Sequence, residues 1–206
     1  MDEATPTDLA PLREPPAAPQ VAAHNFRFSE DYDLYPSGAK TKYKNNVMAI
    51  KLLKQIELEK RTATPEEQII LARYVGWGGL ANAFSSTASA WENEYQELKS
   101  LLTDVEYKAA MNSTITAYYT EPDLIRHIYR ALERFGFEGG PDRKILDPGM
   151  GTGNFYSVLP EQFQGSKLFG VELDSITGRI AKQLYPDADI SIMGYEATKF
   201  EDNSFD

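Results

Sequence analysis

The sequence predicts an α/β protein in which an N-terminal α-helical region precedes the first half of a parallel βαβ fold. Two observations predict this. Apolar residues recur at helical spacing over about residues 41–112, whereas short apolar strands alternate with a glycine turn and helical stretches from about residue 113 onward. We therefore divide the chain into an arm (1–24), a helical domain (25–112) and a partial ligand-binding domain (113–206).

The arm is rich in Pro and Ala and has almost no large apolar residues. Such a composition buries too little surface to offset the entropy of ordering, so disorder is expected over residues 1–24. The next residues, 25–40, hold Phe26, Phe28 and Tyr32 in an irregular pattern and are expected to pack as an extended arm.

The first helix is predicted over about residues 41–61, with Val47, Ile50 and Leu53 on one face, followed by Ile56 or Leu58. This segment carries six Lys or Arg residues against two Glu residues. Two interpretations stay open for the positive charge: contact with a phosphate backbone, or a solvated helix face.

A second helix is predicted to begin at Thr64, with Pro65 in the first turn and Glu67 completing a capping box. It breaks at Gly76-Trp77-Gly78-Gly79. Trp77 either presents its ring to an unpaired base or plugs inward while the glycines reverse the chain. Helices over about 91–102 and 103–111 follow, the latter with a capping box from Thr103 to Glu106.

In the last part a helix is predicted from Pro122 to Phe135, capped by Thr120, with its sheet-facing residues at Leu124, Ile128, Ala131 and Leu132. Strands are expected at about 144–147, 168–172 and 189–193. Helices are expected at about 153–159 and 175–184.

The most informative motif is the turn Asp147-Pro-Gly-Met-Gly-Thr-Gly-Asn-Phe155 after the first strand. Its glycines allow close approach of a ligand to the backbone, and Glu172 closes the second strand where an acid can accept two ribose hydroxyls. An anionic Asp147 would repel a pyrophosphate and suits a cationic amino group. The pattern therefore predicts a nucleoside site for a ligand such as S-adenosylmethionine.

These residues resemble the class I S-adenosylmethionine-dependent methyltransferases of the adenine-N6 DNA type, which have a Rossmann-like fold. The glycine turn, the segment Gly170-Val-Glu-Leu-Asp174 and the upstream segment Ala117-Tyr-Tyr-Thr-Glu-Pro-Asp-Leu124 match that family's motifs in order and spacing. The runs 63–80 and 171–182 also resemble very large bacterial proteins of mobile genetic elements, which join a methyltransferase-like domain to a superfamily 2 helicase.

The resemblance implies a role for each matching residue. Asp147 would hold the amino group of the cofactor, Glu172 or, failing it, Asp174 the ribose hydroxyls, and Leu173 or Ile176 would flank the adenine. Glu196 would read the adenine amino group. The full cofactor-binding set is Tyr119, Thr120, Asp147, Pro148, Gly149, Gly151, Gly153, Asn154, Phe155, Glu172, Leu173, Asp174 and Glu196.

The family's catalytic tetrapeptide, Asn/Asp-Pro-Pro-aromatic, does not occur in these 206 residues, whose one Pro-Pro pair is Pro15-Pro16. We assign no catalytic residue and expect the fold to stop before its fourth strand. The chain alone is expected to transfer no methyl group to DNA, because nothing would hold the adenine amine in line. The alternative is a non-catalytic, methyltransferase-like scaffold or a DNA-interaction module of a mobile-element protein.

Partners follow from the same resemblance: DNA through the full-length protein, the remaining methyltransferase and helicase parts, and a second copy through the uncovered edge of strand 1. Composition also bears on metal binding, nucleic-acid binding and membrane contact. The absence of Cys and the presence of only two His residues argue against a metal site. A net charge of −10 argues against general nucleic-acid binding. The lack of a signal peptide and of a long apolar stretch favours a cytoplasmic protein without membrane contact.

Overall fold

The computed structural model describes residues 24–35 and 37–206. The predicted disordered arm therefore lies outside the described residues, apart from His24. The helices are α1 (Ala39–Leu58), α2 (Pro65–Ala72), α3 (Glu92–Leu101), α4 (Asp104–Asn112), α5 (Pro122–Arg134), α6 (Asn154–Ser157) and α7 (Ser175–Leu184). The strands are β1 (Lys144–Asp147), β2 (Lys167–Glu172) and β3 (Asp189–Ile192). Short 3-10 turns connect several of these elements.

The three strands form one parallel sheet in the order β1-β2-β3. In its register Leu146 pairs with Phe169, and Glu172 pairs with Ile192. The α/β class is therefore confirmed, and the sheet is compatible with part of a Rossmann-like fold. Because parallel strands bring their carboxyl ends to one edge, the sheet carries Asp147 and Glu172 to the same side of the molecule.

Both predicted capping boxes are present. The Thr64 side chain accepts the Glu67 N–H, and the Glu67 carboxylate accepts the Thr64 N–H at the start of α2. Thr103 and Glu106 make the same reciprocal pair at the start of α4. A capping box satisfies two main-chain donors that a helix leaves unpaired, so these two starts were readable from local sequence.

The first helix buries the predicted stripe, and Ile56 rather than Leu58 continues it: Ile56 is fully buried, whereas Leu58 is 83% exposed. Half of the positively charged residues on this helix and the turn after it are paired with acids. Three of the six cations form ion pairs, Lys51 with Glu97, Lys54 with Glu106 and Arg61 with Glu67. The pairing favours the solvated-face interpretation over a phosphate-binding surface.

The tryptophan of the glycine-rich loop points inward. Trp77 is buried, with its ring edge-on to Tyr74 and Phe84 at centroid distances of 6.3 and 5.2 Å. Edge-to-face packing of this kind stabilises an aromatic core. Of the two interpretations, the inward plug is therefore correct, and a base-stacking Trp77 is excluded.

Two predictions for α5 are wrong. Glu121 rather than Thr120 is the N-cap residue, and no side chain caps this helix. Its buried residues are Pro122, Ile125 and Tyr129, whereas Leu124 and Ile128 are exposed. Two adjacent faces of this helix are apolar, and the tertiary contact decides between them: the Tyr129 hydroxyl donates to the Phe155 carbonyl.

The helical region packs directly on the sheet region through α7. Helices α1 and α2 contact α7, and buried residues of both regions belong to one hydrophobic cluster. Arg179 on α7 forms ion pairs with Glu57 on α1 and Glu106 on α4. The side-chain amide of Gln68 on α2 donates to the Gln183 carbonyl. Helix α7, which follows β2, is thus fixed in position by contacts with α1, α2 and α4.

The N-terminal residues that the structure describes run along the same helix. Residues 24–29 have no regular secondary structure, Glu30–Tyr32 form a 3-10 helix, and α1 already begins at Ala39, so the extended arm predicted over residues 25–40 is wrong for part of its length. The Phe26 N–H donates to the Leu184 carbonyl, and the Phe28 N–H donates to the Ser157 carbonyl. Residues 26–28 therefore link the C-terminal ends of α6 and α7 through main-chain hydrogen bonds.

Strand β1 forms one edge of the sheet. Its Lys144 carbonyl accepts the N–H of Asp206, and the Asp206 carboxylate accepts the Lys144 N–H. Main-chain groups two residues apart point to the same side, so those of Leu146 face this edge as well. An apolar groove of about 350 Å³ lies beside the edge. Its apolar lining includes Tyr129, Leu132, Phe137, Ile145, Phe155 and Phe163.

We expect the chain to self-associate through this edge, because open strand edges beside apolar surface pair with other chains. Light scattering across a concentration series measures the association. Phe137→Glu, at the rim of the groove, should shift the chain toward monomer. Leu58→Glu, which changes an exposed apolar residue at the end of α1, is the matched control and should not. A wild-type chain that stays monomeric at every concentration would contradict the expectation.

Candidate functional site

Two adjoining cavities lie along the glycine turn at the carboxyl ends of β1 and β2. The larger has a volume of about 220 Å³ and the smaller about 70 Å³. They share Tyr118, Tyr119, Gly149 and Gly151 in their walls. The smaller cavity is also lined by Asp147 and the larger by Glu172. The two predicted acids therefore line two adjoining cavities, one acid in each.

The three glycines of the turn differ in backbone conformation and in the space around them. Gly151 and Gly153 have φ values of +56° and +83°, which residues with a side chain rarely adopt. A Cβ at Gly151 would lie 3.0 Å from the Tyr119 ring, and one at Gly153 would lie 2.4 Å from the Tyr185 ring. The fold therefore requires both glycines.

Gly149 differs from the other two. Its φ is not in the left-handed region, and a Cβ added there would meet no atom within 4 Å. Nothing in the described part of the protein explains the missing side chain. Gly149 lines both cavities, so the space beside it is free for a ligand.

The residue between these glycines, Met150, lines the smaller cavity and packs on β2. A Cβ added at Gly170 would lie 2.1 Å from the Met150 sulfur. Met150 is buried in this position. The glycine in the middle of β2 is thus explained by the methionine of the turn.

Asp147 is an acid without a cationic partner among residues 24–35 and 37–206. Its Oδ1 accepts the Gly149 N–H at 3.3 Å, and no Lys or Arg in the described residues forms an ion pair with it. Burial raises the pKa of this carboxyl, and the hydrogen bond from Gly149 offsets part of that rise. A half-buried carboxylate beside a cavity is a suitable partner for a cationic ligand group.

Glu172 ties the end of β2 to the glycine turn. Its Oε2 accepts the Gly151 N–H at 2.9 Å, and its Oε1 accepts the Asp174 N–H at 2.7 Å. Burial raises the pKa of this carboxyl. Each carboxylate oxygen has a second lone pair, so the group can still accept hydrogen bonds from two adjacent hydroxyls.

Asp174 is the N-cap residue of α7. Its Oδ1 accepts both the Thr177 N–H at 2.8 Å and the Thr177 hydroxyl at 2.7 Å. Asp174 also lines the larger cavity. Both acids at the end of β2 can therefore accept ligand hydroxyls: Glu172 through the second lone pair of each oxygen, and Asp174 through its Oδ2, which has no hydrogen bond among the described residues.

The structure brings most of the predicted residues together. Thr120, Asn154 and Phe155 line the smaller cavity, and the Asn154 side-chain amide donates to the Thr120 carbonyl at 2.9 Å. Several predicted residues lie elsewhere. Pro148 lines the groove beside β1, Gly153 packs on Tyr185, Ile176 is buried in the core, and Leu173 and Glu196 are exposed outside both cavities.

The structure also adds residues that sequence reasoning missed. The larger cavity is lined by Tyr74, Gly76, Ser113, Thr116, Ala117, Tyr118 and Thr177 in addition to the predicted set. Only Thr177 had a local signal, since it stands three residues after an N-cap acid. Tyr74 and Gly76 belong to the helical region, and no motif linked them, Ser113 or Thr116 to the glycine turn. Ala117 and Tyr118 begin the upstream segment 117–124 of the sequence resemblance, but they were not assigned to the site.

Comparison with known proteins gives one informative match. The chain is 26% identical over 163 residues to the Defense against restriction protein B of Escherichia phage P1. The match covers 78% of this chain and 6% of the phage protein, so the chain spans a small fraction of that relative's length. No protein-family model matches the chain, and no solved structure matches it.

Neither a metal site nor a membrane-spanning helix is found among the residues that the structure describes. No group of three or more His, Asp or Glu residues is placed to hold a metal ion. No helix is both long and apolar enough to cross a membrane.

Proposed function

We propose that this chain binds S-adenosylmethionine and forms the cofactor-binding portion of a DNA adenine-N6 methyltransferase within a larger methylase and helicase protein. The observation that carries the proposal is the open side of Gly149. Gly149 lines two adjoining cavities, one of them lined by the Asp147 carboxylate and the other by the Glu172 carboxylate. A ligand with a cationic amino group, an uncharged body and a ribose fits this order of groups.

Each residue then has a specific part in holding the cofactor. Asp147 pairs with the amino group of the methionine end, where Tyr119 and Thr120 form the cover. The backbone at Gly149 and Gly151 supports the middle of the ligand, and Glu172 accepts the two ribose hydroxyls. The bound cofactor would supply a methyl group activated on a sulfonium.

The broader biological role rests on the phage relative. A protein whose name describes defense against restriction belongs to an element that enters cells with restriction enzymes. Methylation of DNA bases is one chemical means of protecting such DNA. We propose that the parent protein acts on the DNA of its mobile element, and that residues after this portion supply the adenine-binding groups.

Calorimetric titration of the chain with S-adenosylmethionine, and with its demethylated product, tests the cofactor site. We expect binding, and a loss of about tenfold or more in Asp147→Ala, which is the usual worth of one charge-assisted hydrogen bond. Asp142→Ala removes the same charge from an exposed loop and is the matched control. Absence of heat with both ligands at millimolar concentration would overturn the proposal and favour a non-catalytic scaffold.

A further inference from the structure

The larger cavity has a second wall, which comes from the loop after α2 and from the segment after α4. Tyr74 and Gly76, after α2, and Thr116 and Ala117, after α4, line this cavity together with Glu172. These four residues lie far from the glycine turn in sequence. The part of the wall formed by Tyr74 and Gly76 therefore depends on the packing of the helical region against the sheet region.

Buried hydrogen bonds fix this wall in place. Asn46 on α1 is fully buried, and its side-chain amide donates to the Gly76 carbonyl at 2.6 Å. The Asn46 side-chain oxygen accepts the Val75 N–H at 2.9 Å. The Gly78 N–H donates to the Ala117 carbonyl at 3.1 Å, which joins the two segments of the wall. A buried amide with both ends bonded holds one backbone geometry.

The Tyr119 ring connects this wall to the glycine turn. A Cβ at Gly76 would lie 3.1 Å from the ring carbon that bears its hydroxyl, and a Cβ at Gly151 would lie 3.0 Å from another carbon of the ring. The ring thus lies between two glycines, one from each region. The oxygens of the Tyr119 and Thr177 hydroxyls are 3.3 Å apart, within hydrogen-bonding distance.

We propose that the loop of residues 74–79 is an integral part of the nucleoside pocket, and that Gly76 is a positioning residue that sets Tyr119 against the glycine turn. The ligand class is an adenosine with a sulfonium or thioether tail, so the inference rests on the proposed function. The helical region then does more than precede the cofactor site, because it forms one side of it.

Tyr74 adds a polar group to the same wall. It is buried, and burial raises its pKa well above the ordinary value, an effect to which the nearby Tyr119, Asp174 and Glu172 add. Its phenol therefore keeps its proton in the neutral range, so it is available as a hydrogen-bond donor at this side of the cavity.

A pair of glycine variants tests the inference. Gly76 and Gly79 belong to one loop and have φ values of +70° and +74°, so alanine imposes similar backbone strain at both. A Cβ at Gly79 meets no atom within 4 Å, whereas one at Gly76 meets Tyr119. We expect Gly76→Ala to weaken S-adenosylmethionine binding by about tenfold or more, because small displacements of a positioning group are costly. Gly79→Ala should stay within about twofold of the wild type.

Hydrogen exchange supplies a readout that a purely structural glycine would not change. Adding S-adenosylmethionine to the wild-type chain should slow amide exchange in peptides covering 74–79 and 113–118, as well as in the glycine turn. If the wild type binds, yet protection is confined to the glycine turn and both alanine variants bind equally, this inference is wrong and the proposed function stands. If the wild type does not bind at all, the proposed function itself fails.

Discussion

Gly149→Val is expected to abolish S-adenosylmethionine binding while leaving the free energy of unfolding within about 0.5 kcal/mol of the wild type, as for a substitution that disturbs no packing. The added side chain would occupy the open space beside the turn, where no protein atom lies within 4 Å of the Cβ position. It would fill the space that the proposed ligand needs. Calorimetry measures the binding, and urea denaturation measures the stability.

Gly153→Ala is the matched comparison in the same turn. Its φ of +83° and a Cβ position 2.4 Å from the Tyr185 ring make the change costly for the fold itself. We expect a loss of about 2–4 kcal/mol in the free energy of unfolding, from left-handed backbone strain together with overpacking. Should Gly149→Val bind the cofactor as tightly as the wild type, the cavities along the turn are not its site.

Asp147→Asn is expected to stabilise the unliganded chain at neutral pH and to weaken cofactor binding. Burial raises the folded-state pKa of Asp147 above the ordinary Asp value. A carboxyl whose pKa is higher in the folded state contributes stability that is fully present below the unfolded-state pKa, about 3.9. That stability is lost as pH rises through the folded-state pKa. The ionised form therefore costs stability at pH 7. Asparagine removes that cost and can still accept the Gly149 N–H.

Thermal unfolding across a pH series checks the sign of this effect. The gain in Tm of Asp147→Asn should be largest at pH 7 and should shrink as pH falls toward the ordinary pKa of Asp. Cofactor affinity at pH 7 should fall by about tenfold or more, the usual worth of a hydrogen bond to a charged group. A variant that is less stable at pH 7, or that keeps full affinity, would show that Asp147 does not serve as the unpaired anion of the site.

Elements fixed by short-range interactions could be read from the sequence. The starts of α2 and α4 depend on Thr64 and Thr103, each with a glutamate three residues later, and both are present. The face of α5 could not be read, because two adjacent stripes are apolar and only packing by Ile125 and Tyr129 separates them. Local patterns therefore locate elements more reliably than they orient them.

The candidate site divides in the same way. Asp147 and Glu172 stand at the ends of strands beside a glycine motif, so one stretch of sequence predicts both. The wall at Tyr74 and Gly76 depends on how α1 and α2 pack against α7. No periodicity or motif records that contact. Glu196 shows the converse, since the sequence resemblance implied a role for it, and yet it lies exposed outside the cavities.

The contact between Met150 and Gly170 has a consequence for how sequences of this kind diverge. Because the methionine sulfur occupies the place of a side chain on β2, the two positions form one volume shared between a turn and a strand. A relative with a smaller residue at position 150 has room for a larger residue at position 170. A larger residue at position 170 alone, with Met150 retained, would clash with the methionine sulfur. The two positions should therefore covary in related proteins, a coupling that marks the turn and the strand as a single evolutionary unit.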